Sequence, residues 1–265
     1  MKRYLYYIYL SFKVQSMYKA NIVFSIARAF IFLAVQIALW NALYMSGANI
    51  EFYSLNEMLT YQILSAIIAS FLTGMAPMSI VQNDINTGMI VNYLKLPCSY
   101  KLQVFMTNLG GNLFAFLFVS IPMLLLSNIY TRIMLPASIG AFVYSVLALA
   151  FSIGVYFELY YMFGLISFWF MDRYNTVGLL LTNVIRILSG AIIPLTFFPS
   201  WLYKIVTVLP MRLGFDFPIS IYLGRIGMLE TATGFLLQIL WIVILWGVNK
   251  IFFNLGLKKL ILQGG

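Results

Sequence analysis

Between Ile22 and Met45 the chain runs for 24 residues with one charge, Arg28, and runs of this kind recur along its length. A segment that long and that apolar has few ways to fold. At a rise of 1.5 Å per residue, a helix of about 20 apolar residues spans the roughly 30 Å hydrocarbon core of a bilayer. Its backbone N–H and C=O groups are then satisfied internally, as they must be where no water reaches them. The spacing of charges predicts six such runs: about Ile22 to Met45, Met58 to Val81, Leu102 to Leu126, Pro136 to Phe170, Val177 to Phe197 and Thr233 to Phe253. A soluble globule fails on composition, since 63% of the 265 residues are hydrophobic and only 9% are charged. Soluble domains are about 45–50% apolar and about 25% charged, because charged surface must cover the core. The expected fold is an all-α integral membrane protein, one transmembrane domain over residues 1–265 with six transmembrane helices.

Charge placement orients the spans. With the N-terminus inside, the inner segments hold ten of the 16 basic residues (Lys2, Arg3, Lys13, Lys19, Lys95, Lys101, Arg173, Lys250, Lys258 and Lys259) and the outer segments four (Arg132, Lys204, Arg212 and Arg225). That bias predicts an N-in/C-in topology. It also accounts for the net charge of +9 without nucleic acid as a partner, because the basic residues flank apolar runs rather than forming a patch. Trp40 and Tyr44, Trp169 and Tyr174, and Trp246 fall near run ends, where interfacial aromatics form belts. The fourth run, 35 residues with Glu158 as its one charge, has two open readings: one long helix, or a helix broken near Ser152-Ile153-Gly154. Met1-Lys2-Arg3 ahead of Tyr4 to Leu10 resembles the start of a signal peptide. Lys13 interrupts that run and no small-x-small site follows, so the segment is expected to stay in the mature chain.

Three segments outside the spans carry more information. Residues 1–20 mix Lys2, Arg3, Lys13 and Lys19 with apolar side chains, among which Leu5, Ile8 and Phe12 recur at helical spacing. They read either as a basic amphipathic helix at the inner membrane surface or as a plain charged flank. In the cytoplasmic loop 82–101, Asn86 or Thr87 is placed to cap a short helix that Pro97 ends. Met89, Ile90, Tyr93 and Leu94 share one face of it, and that face docks either on the protein's own membrane surface or on a cytoplasmic partner. Between spans five and six, Pro194, Pro199, Pro210 and Pro218 forbid a continuous helix. The apolar stretch Trp201 to Leu209 between them is too short to cross. Short helices that dip into the outer leaflet and return fit better than a surface loop, provided their free backbone groups face protein or water.

Three stretches carry a family resemblance: Gly88-Met89-Ile90-Val91-Asn92-Tyr93-Leu94-Lys95-Leu96-Pro97, then Ser189-Gly190-Ala191-Ile192-Ile193-Pro194-Leu195 with Phe198-Pro199-Ser200-Trp201-Leu202, and the terminal Gln263-Gly264-Gly265. With six spans and an amphipathic N-terminal segment, the chain resembles ABC exporter permeases of the second type, specifically the ABC-2 family transporter proteins. The resemblance implies that residues 82–101 form a coupling loop. Its helix, with Gly88, Met89, Ile90, Tyr93, Leu94 and Lys95, would dock on a nucleotide-binding ATPase subunit, with a charge at Ile90 or Leu94 expected to uncouple it. The resemblance also implies an interfacial helix over residues 1–20. Residues 194–224 would form a re-entrant segment closing an outer gate, with Pro194, Pro199, Trp201 and Pro210 in it. The working unit would hold two ATPase subunits and two permeases, the second a copy or a related chain, among membrane lipids of the bacterial cytoplasmic membrane. The cargo would be an amphipathic drug, peptide or lipid-like molecule, moved outward. This chain would bind no cofactor, ATP and Mg belonging to the partner subunit. Consistently, no G-x-x-x-x-G-K-[S/T] motif occurs.

The residues themselves leave other classes open. Glu158, Asn183 and Arg186 are polar at membrane depth, a functional signal by default. Arg186 is the expected partner of Glu158, in an ion pair or near the interface, or in a substrate or gating role. Arg28 is expected to snorkel. A secondary, ion-coupled transporter needs embedded acids or His, and the chain has Glu158 and no His. A membrane-embedded enzyme needs a reactive constellation, and Asp84, Asp172, Glu51, Glu57, Asp216 and Glu230 do not pair on adjacent turns. No catalytic residue is expected, nor a metal site, with one cysteine, Cys98, and no His. A structural anchor in a larger complex is the remaining class.

Overall fold

A computed structural model describes residues 2–47, 52–72, 76–131, 133–170 and 174–263. Glu51, Arg132, Asp172, Arg173, Gly264 and Gly265 lie outside the described residues. Among the described residues, all regular structure is helical. An N-terminal helix α1 (Lys2–Met17) leads into α2 (Lys19–Met45). α3 (Leu55–Leu72) and α4 (Ala76–Asn86) make up the next long run, followed by the short α5 (Ile90–Leu94). α6 (Tyr100–Ala115) passes through a π-turn (Phe116–Ser120) into α7 (Ile121–Tyr130). α8 (Ile139–Leu165) ends in a 3-10 turn (Ile166–Phe168), and α9 covers Tyr174–Leu188. Two short helices, α10 (Ser200–Val206) and α11 (Asp216–Tyr222), precede the long α12 (Met228–Gln263).

Among the described residues, five helical stretches are long and apolar enough to cross a membrane: Lys19–Met45, Leu55–Asn86, Tyr100–Asn128, Ile139–Phe168 and Met228–Lys259. The fourth is continuous through Ser152 and Gly154. The helix expected over Val177–Phe197 is corrected in its end, which comes nine residues earlier. This helix, α9, has 15 residues, about 22 Å at the α-helical rise, and stops at Leu188. The reason is local: Gly190 takes φ +81°, a left-handed position open to glycine that ends the helix, and Pro194 follows. α12 is longer than expected, its 36 residues reaching about 54 Å.

Contacts between helix ends set the topology. At one end of the bundle the Ser99 N–H donates to the Tyr4 hydroxyl (3.2 Å), and Lys101 at the start of α6 reaches Glu158 late in α8 (2.6 Å). Asn249, late in α12, joins the same group. At the other end Tyr44 donates to the Tyr53 carbonyl (2.5 Å), Arg225 pairs with Glu57 (3.4 Å), and the Ala137 N–H bonds the Tyr222 carbonyl (3.0 Å). The starts of α1 and α6 and the late turns of α8 and α12 thus share one end, and the starts of α3, α8 and α12 share the other. α9 is the element that carries the chain back between them.

Burial is uneven. α3 is enclosed over most of its length, from Met58 to Leu72, and the second half of α8 from Val155 to Leu165 is nearly as buried. α2 buries only Leu33 and Trp40 and exposes Val23, Phe24, Ile31 and Val35, a surface suited to lipid or to another chain. Trp40, expected in an outer aromatic belt, is instead in the core, its ring 5.6 Å from that of Phe197. Trp246 is exposed, as a belt residue would be. The π-turn accommodates Pro122, which lacks an N–H and whose ring crowds the preceding turn. The Ile121 N–H bonds the Phe116 carbonyl there, five residues back. The same turn offers the Ser120 hydroxyl to Ser70 of α3 (2.6 Å).

α1 packs along α6. A Cβ at Gly110 would collide with the Ile8 carbonyl and lie 2.9 Å from the Ser11 Cβ, so the crossing requires glycine. Phe12 stacks edge-on against Phe114 at 5.3 Å. Ile8, Ser11, Phe12 and Gln15 therefore form the docking face. Leu5, grouped with Ile8 and Phe12 by sequence spacing, is 58% exposed along with Tyr6, Tyr9 and Leu10.

Candidate functional site

Four groups of residues stand out, three toward the ends of the bundle and one within it. The first is the loop after α4. Thr87 does not cap α5, because its hydroxyl donates back to Asn83 (2.7 Å). Gly88 takes φ +71°, Met89 occupies the position before α5, and Lys95 closes it. The four apolar residues expected on one face divide. Ile90 has no exposed surface and packs among Val81, Ile85, Tyr100, Val104 and Tyr161. Tyr93 leans on the same cluster, with its ring 5.7 Å from that of Tyr100, and burial raises its phenol pKa above the ordinary value. Met89 and Leu94 are exposed instead, as are Val91 and Leu96. The expectation for Ile90 is corrected: it is an anchor, and a charge there tests the fold rather than a docking surface. In a helix of one turn, residues one apart point about 100° apart, so Met89 and Ile90 cannot both face outward.

Glu158, at the same end, is fully engaged. Its Oε2 accepts from Lys101 Nζ and from Asn249 Nδ2, both at 2.6 Å, and Asn249 also donates to the Glu158 main-chain carbonyl (3.0 Å). The expected partner, Arg186, is not there. Glu158 faces α6 and α12, whereas the Arg186 guanidinium lies over the Phe32 ring of α2 at 5.2 Å. An ion pair tying α6, α8 and α12 together was visible in the sequence only as an isolated acid, with Lys101 read as an interfacial charge. One further signal was present. Gln238 and Asn249 lie 11 residues apart, three helical turns, so both fall on one face of α12, and both bond to α8.

At the opposite end the proline-rich segment is threaded among the long helices. Pro194 and Pro199 each precede a short helix, Pro210 opens the turn into Arg212–Gly214, and Pro218 sits in the first turn of α11. Trp201 is 64% exposed while α11 is buried from Asp216 to Ile221. Residues 208–213 lie beside Ser152 and Tyr156 of α8 and Gln238 and Trp241 of α12. Ser152 is 13 residues past the start of α8, about 20 Å along the bundle.

Non-helical backbone at that depth must find partners in protein, and it does. Tyr61, Gln62 and Ser65 of α3 donate to the carbonyls of Gly190 (2.8 Å), Ile192 (3.3 Å) and Ala191 (2.7 Å). Tyr156 donates to Met211 (2.7 Å), Ser152 and Gln238 to Leu213 (2.6 and 3.2 Å), and Trp241 to Val208 (2.8 Å). None of these donors stood out in the sequence, because single Ser, Gln and Tyr residues in apolar runs are common. Arg212 pairs with buried Asp216 at 3.0 Å. Arg225 stacks 3.8 Å over Tyr53, whose phenol is pushed up to about 12 by burial and by Asp216.

The fourth group lines a cavity of about 720 Å³ bounded by α2, α3, α6, α9 and the end of α1. Asn183 and Arg186 of α9 face it together with Arg28 and Asn21 of α2. Of the three intramembrane residues singled out by sequence, the structure brings Asn183 and Arg186 together and leaves Glu158 elsewhere. Among the described residues there is no group of acids and Cys suited to a metal ion.

The chain was compared with known proteins. No curated protein matches it significantly. A family model described as ABC-2 family transporter protein matches residues 30–264, which leaves out α1 and the first turns of α2 and takes in the helices that follow. Long apolar helices, a loop presenting exposed apolar residues at one end and a coverage of most of the chain agree: this multi-pass membrane protein belongs to the ABC-2 family transporter proteins, the membrane components of ABC transporters.

Proposed function

We propose that this chain is the permease subunit of an ATP-driven exporter in the cell membrane, of bacterial cytoplasmic type. Two permeases, two copies or this chain with a related one, would form the path. Two separate nucleotide-binding chains would bind ATP and Mg and hydrolyse ATP. The observation that carries this reading is the divided face of residues 88–96. Ile90 and Tyr93 are locked into the cluster shared by α4, α6 and α8, while Met89, Val91, Leu94 and Leu96 stand exposed beside them. An exposed apolar patch on a rigidly anchored turn is a docking surface, and a push on it is passed to three long helices at once. The bias of basic residues supports a cytoplasmic position for that end, where an ATPase is found.

At the far end, residues 194–224 supply the outer gate, a re-entrant plug held by side-chain donors on α3, α8 and α12. Alternating access follows: closure of the ATPase pair pushes residues 88–96, the long helices tilt, and the plug parts from its donors. The cargo is amphipathic and leaves outward.

The test is purification of the tagged chain in mild detergent from membranes that also hold its ATPase. The expected result is co-purification of a nucleotide-binding chain with the wild type and its loss with Met89→Glu/Leu94→Glu, which still inserts. Recovery of this chain alone after crosslinking in native membranes would overturn the reading, as would normal export by the variant.

A further inference from the structure

The cavity among α2, α3, α6 and α9 has an electrostatic imbalance. Arg28 and Arg186 both line it, and among the described residues no Asp or Glu does. Among the described residues the ion pairs are Lys101–Glu158, Arg212–Asp216 and Arg225–Glu57, so neither of these arginines has an acidic partner. The Nε–H of Arg186 is buried and has no hydrogen-bond partner. Its contact is the Phe32 ring, which screens a cation weakly.

The depth of the site makes this costly. Arg28 lies nine residues into α2, about 14 Å from the helix start. The α3 residues that line the cavity, Ala66 to Phe71, are 11 to 16 residues past the start of α3, about 16–24 Å in. Guanidinium groups cannot shed their protons to relieve the strain, as Lys or His would. Arg28 is exposed and Arg186, in the last turn of α9, is half-buried; two like charges on one cavity wall, with no acid among the described residues lining it, call for an anion.

The rest of the lining says what carries that anion. Asn21, Asn112 and Asn183 add amide donors around the arginines, and Phe71, Phe114 and Met123 supply an apolar wall. About 720 Å³ is the size of a pocket for a drug-sized or lipid-like molecule. A free inorganic ion would leave that wall wet, and a neutral amphiphile would leave the arginines unpaired. We propose that the cavity binds an amphiphile with a phosphate or carboxylate headgroup, clamped by Arg28 and Arg186, with its apolar part against Phe71, Phe114 and Met123. Guanidinium forks match both headgroups in bidentate fashion. The occupant is either resident anionic phospholipid or cargo. Its role as cargo rests on the permease reading, whereas binding itself does not.

The experiment uses the full chain alone, in dodecyl maltoside micelles, with radiolabelled dodecyl phosphate in equilibrium dialysis and dodecyltrimethylammonium as the cationic control. Saturable binding of dodecyl phosphate, with none of the cation, is expected. Arg28→Gln and Arg186→Gln should each weaken it at least about tenfold, the loss of a charge-assisted hydrogen bond. Arg186→Lys, which keeps the charge and loses the fork, should fall between wild type and Arg186→Gln. Equal binding of both probes by the wild type would overturn the proposal without reference to any variant. So would unchanged binding by folded Arg28→Gln/Arg186→Gln.

The source is read separately. Anionic phospholipid that co-purifies with the wild type and is missing from the double variant identifies a resident lipid. Stimulation of ATP hydrolysis by dodecyl phosphate in the assembled wild-type transporter, lost in the double variant, identifies cargo. Because the binding measurement needs no ATPase, failure of the coupling surface at Met89 and Leu94 would leave it untouched.

Discussion

Replacing Lys101 with methionine should destabilise the end of the bundle where α6 starts, and a second substitution should restore much of the loss. Lys101 Nζ and Asn249 Nδ2 converge on one oxygen of Glu158, each at 2.6 Å, with 8% of the Glu158 side chain and 22% of the Lys101 side chain exposed. Lys101→Met keeps the packing of the stem but leaves a buried carboxylate with one neutral donor. Breaking one partner of a buried ion pair costs about 3–5 kcal/mol, because the remaining charge is uncompensated. The partial exposure of Lys101 puts the expected value at the lower end, about 3 kcal/mol. For a chain of this size that corresponds to a fall in melting temperature of roughly 6–12 °C.

The double variant Lys101→Met/Glu158→Leu removes both charges, and replacing a buried pair by apolar groups is often neutral. Asn249 keeps its bond to the Glu158 main-chain carbonyl (3.0 Å), which does not depend on the side chain. The double variant should therefore melt well above Lys101→Met. The assay is thermal unfolding of the purified chain in detergent, followed by tryptophan fluorescence, with the four proteins of the cycle side by side. A Lys101→Met protein melting within about 2 °C of wild type would refute the reasoning, since that is less than 1 kcal/mol. Strict additivity of the two single losses would refute it as well, because groups in direct contact should couple.

Ile90→Glu should fail to yield folded protein, because it puts a charge among Val81, Tyr100 and Leu165; size-exclusion chromatography and the melting assay decide this. Gly110→Leu should detach α1 from α6, since even a Cβ there collides with the Ile8 carbonyl. Faster proteolysis between α1 and α2 in an otherwise intact protein would report it, and wild-type protection would count against the packing described. Gln238→Leu should cost about 1–3 kcal/mol by withdrawing a donor from the Ala148 and Leu213 carbonyls. Accessibility to a thiol reagent of a cysteine placed at Val208 should rise with it, and unchanged accessibility would argue that Gln238 does not hold residues 208–213 in place.

Much of the architecture could be read from residues in order along the chain. Apolar runs of about 20 residues dictate helices in a bilayer whatever surrounds them, because the backbone must satisfy itself. For the same reason the density of prolines between Pro194 and Pro218 announced short broken helices, and Pro97 announced the end of the turn after Gly88. These are consequences of backbone chemistry within a few residues, and tertiary contacts had little power to change them. The one span that reading overextended, Val177–Phe197, failed at Gly190, where hydrophobicity continues but the backbone turns.

Which face of each helix meets which neighbour was decided only by the assembled bundle. In water, burial sorts apolar from polar residues, and periodicity reveals the inward face. Here lipid is as apolar as the core, so a fully apolar helix carries little record of which side is inward. That is why Ile90 and Leu94 could be grouped together although one is enclosed and the other exposed. It is why Glu158 was matched to Arg186 when Lys101 and Asn249 hold it. It is also why the donors Tyr61, Gln62, Ser65, Ser152 and Gln238 passed unnoticed: each is defined by the carbonyl it meets, and those carbonyls are brought within reach by a segment up to 130 residues distant in the chain. Local sequence determines that a polar group lies at membrane depth. Only the packing of helices determines whether it is paired, as Glu158 is, or left facing a cavity, as Arg186 is.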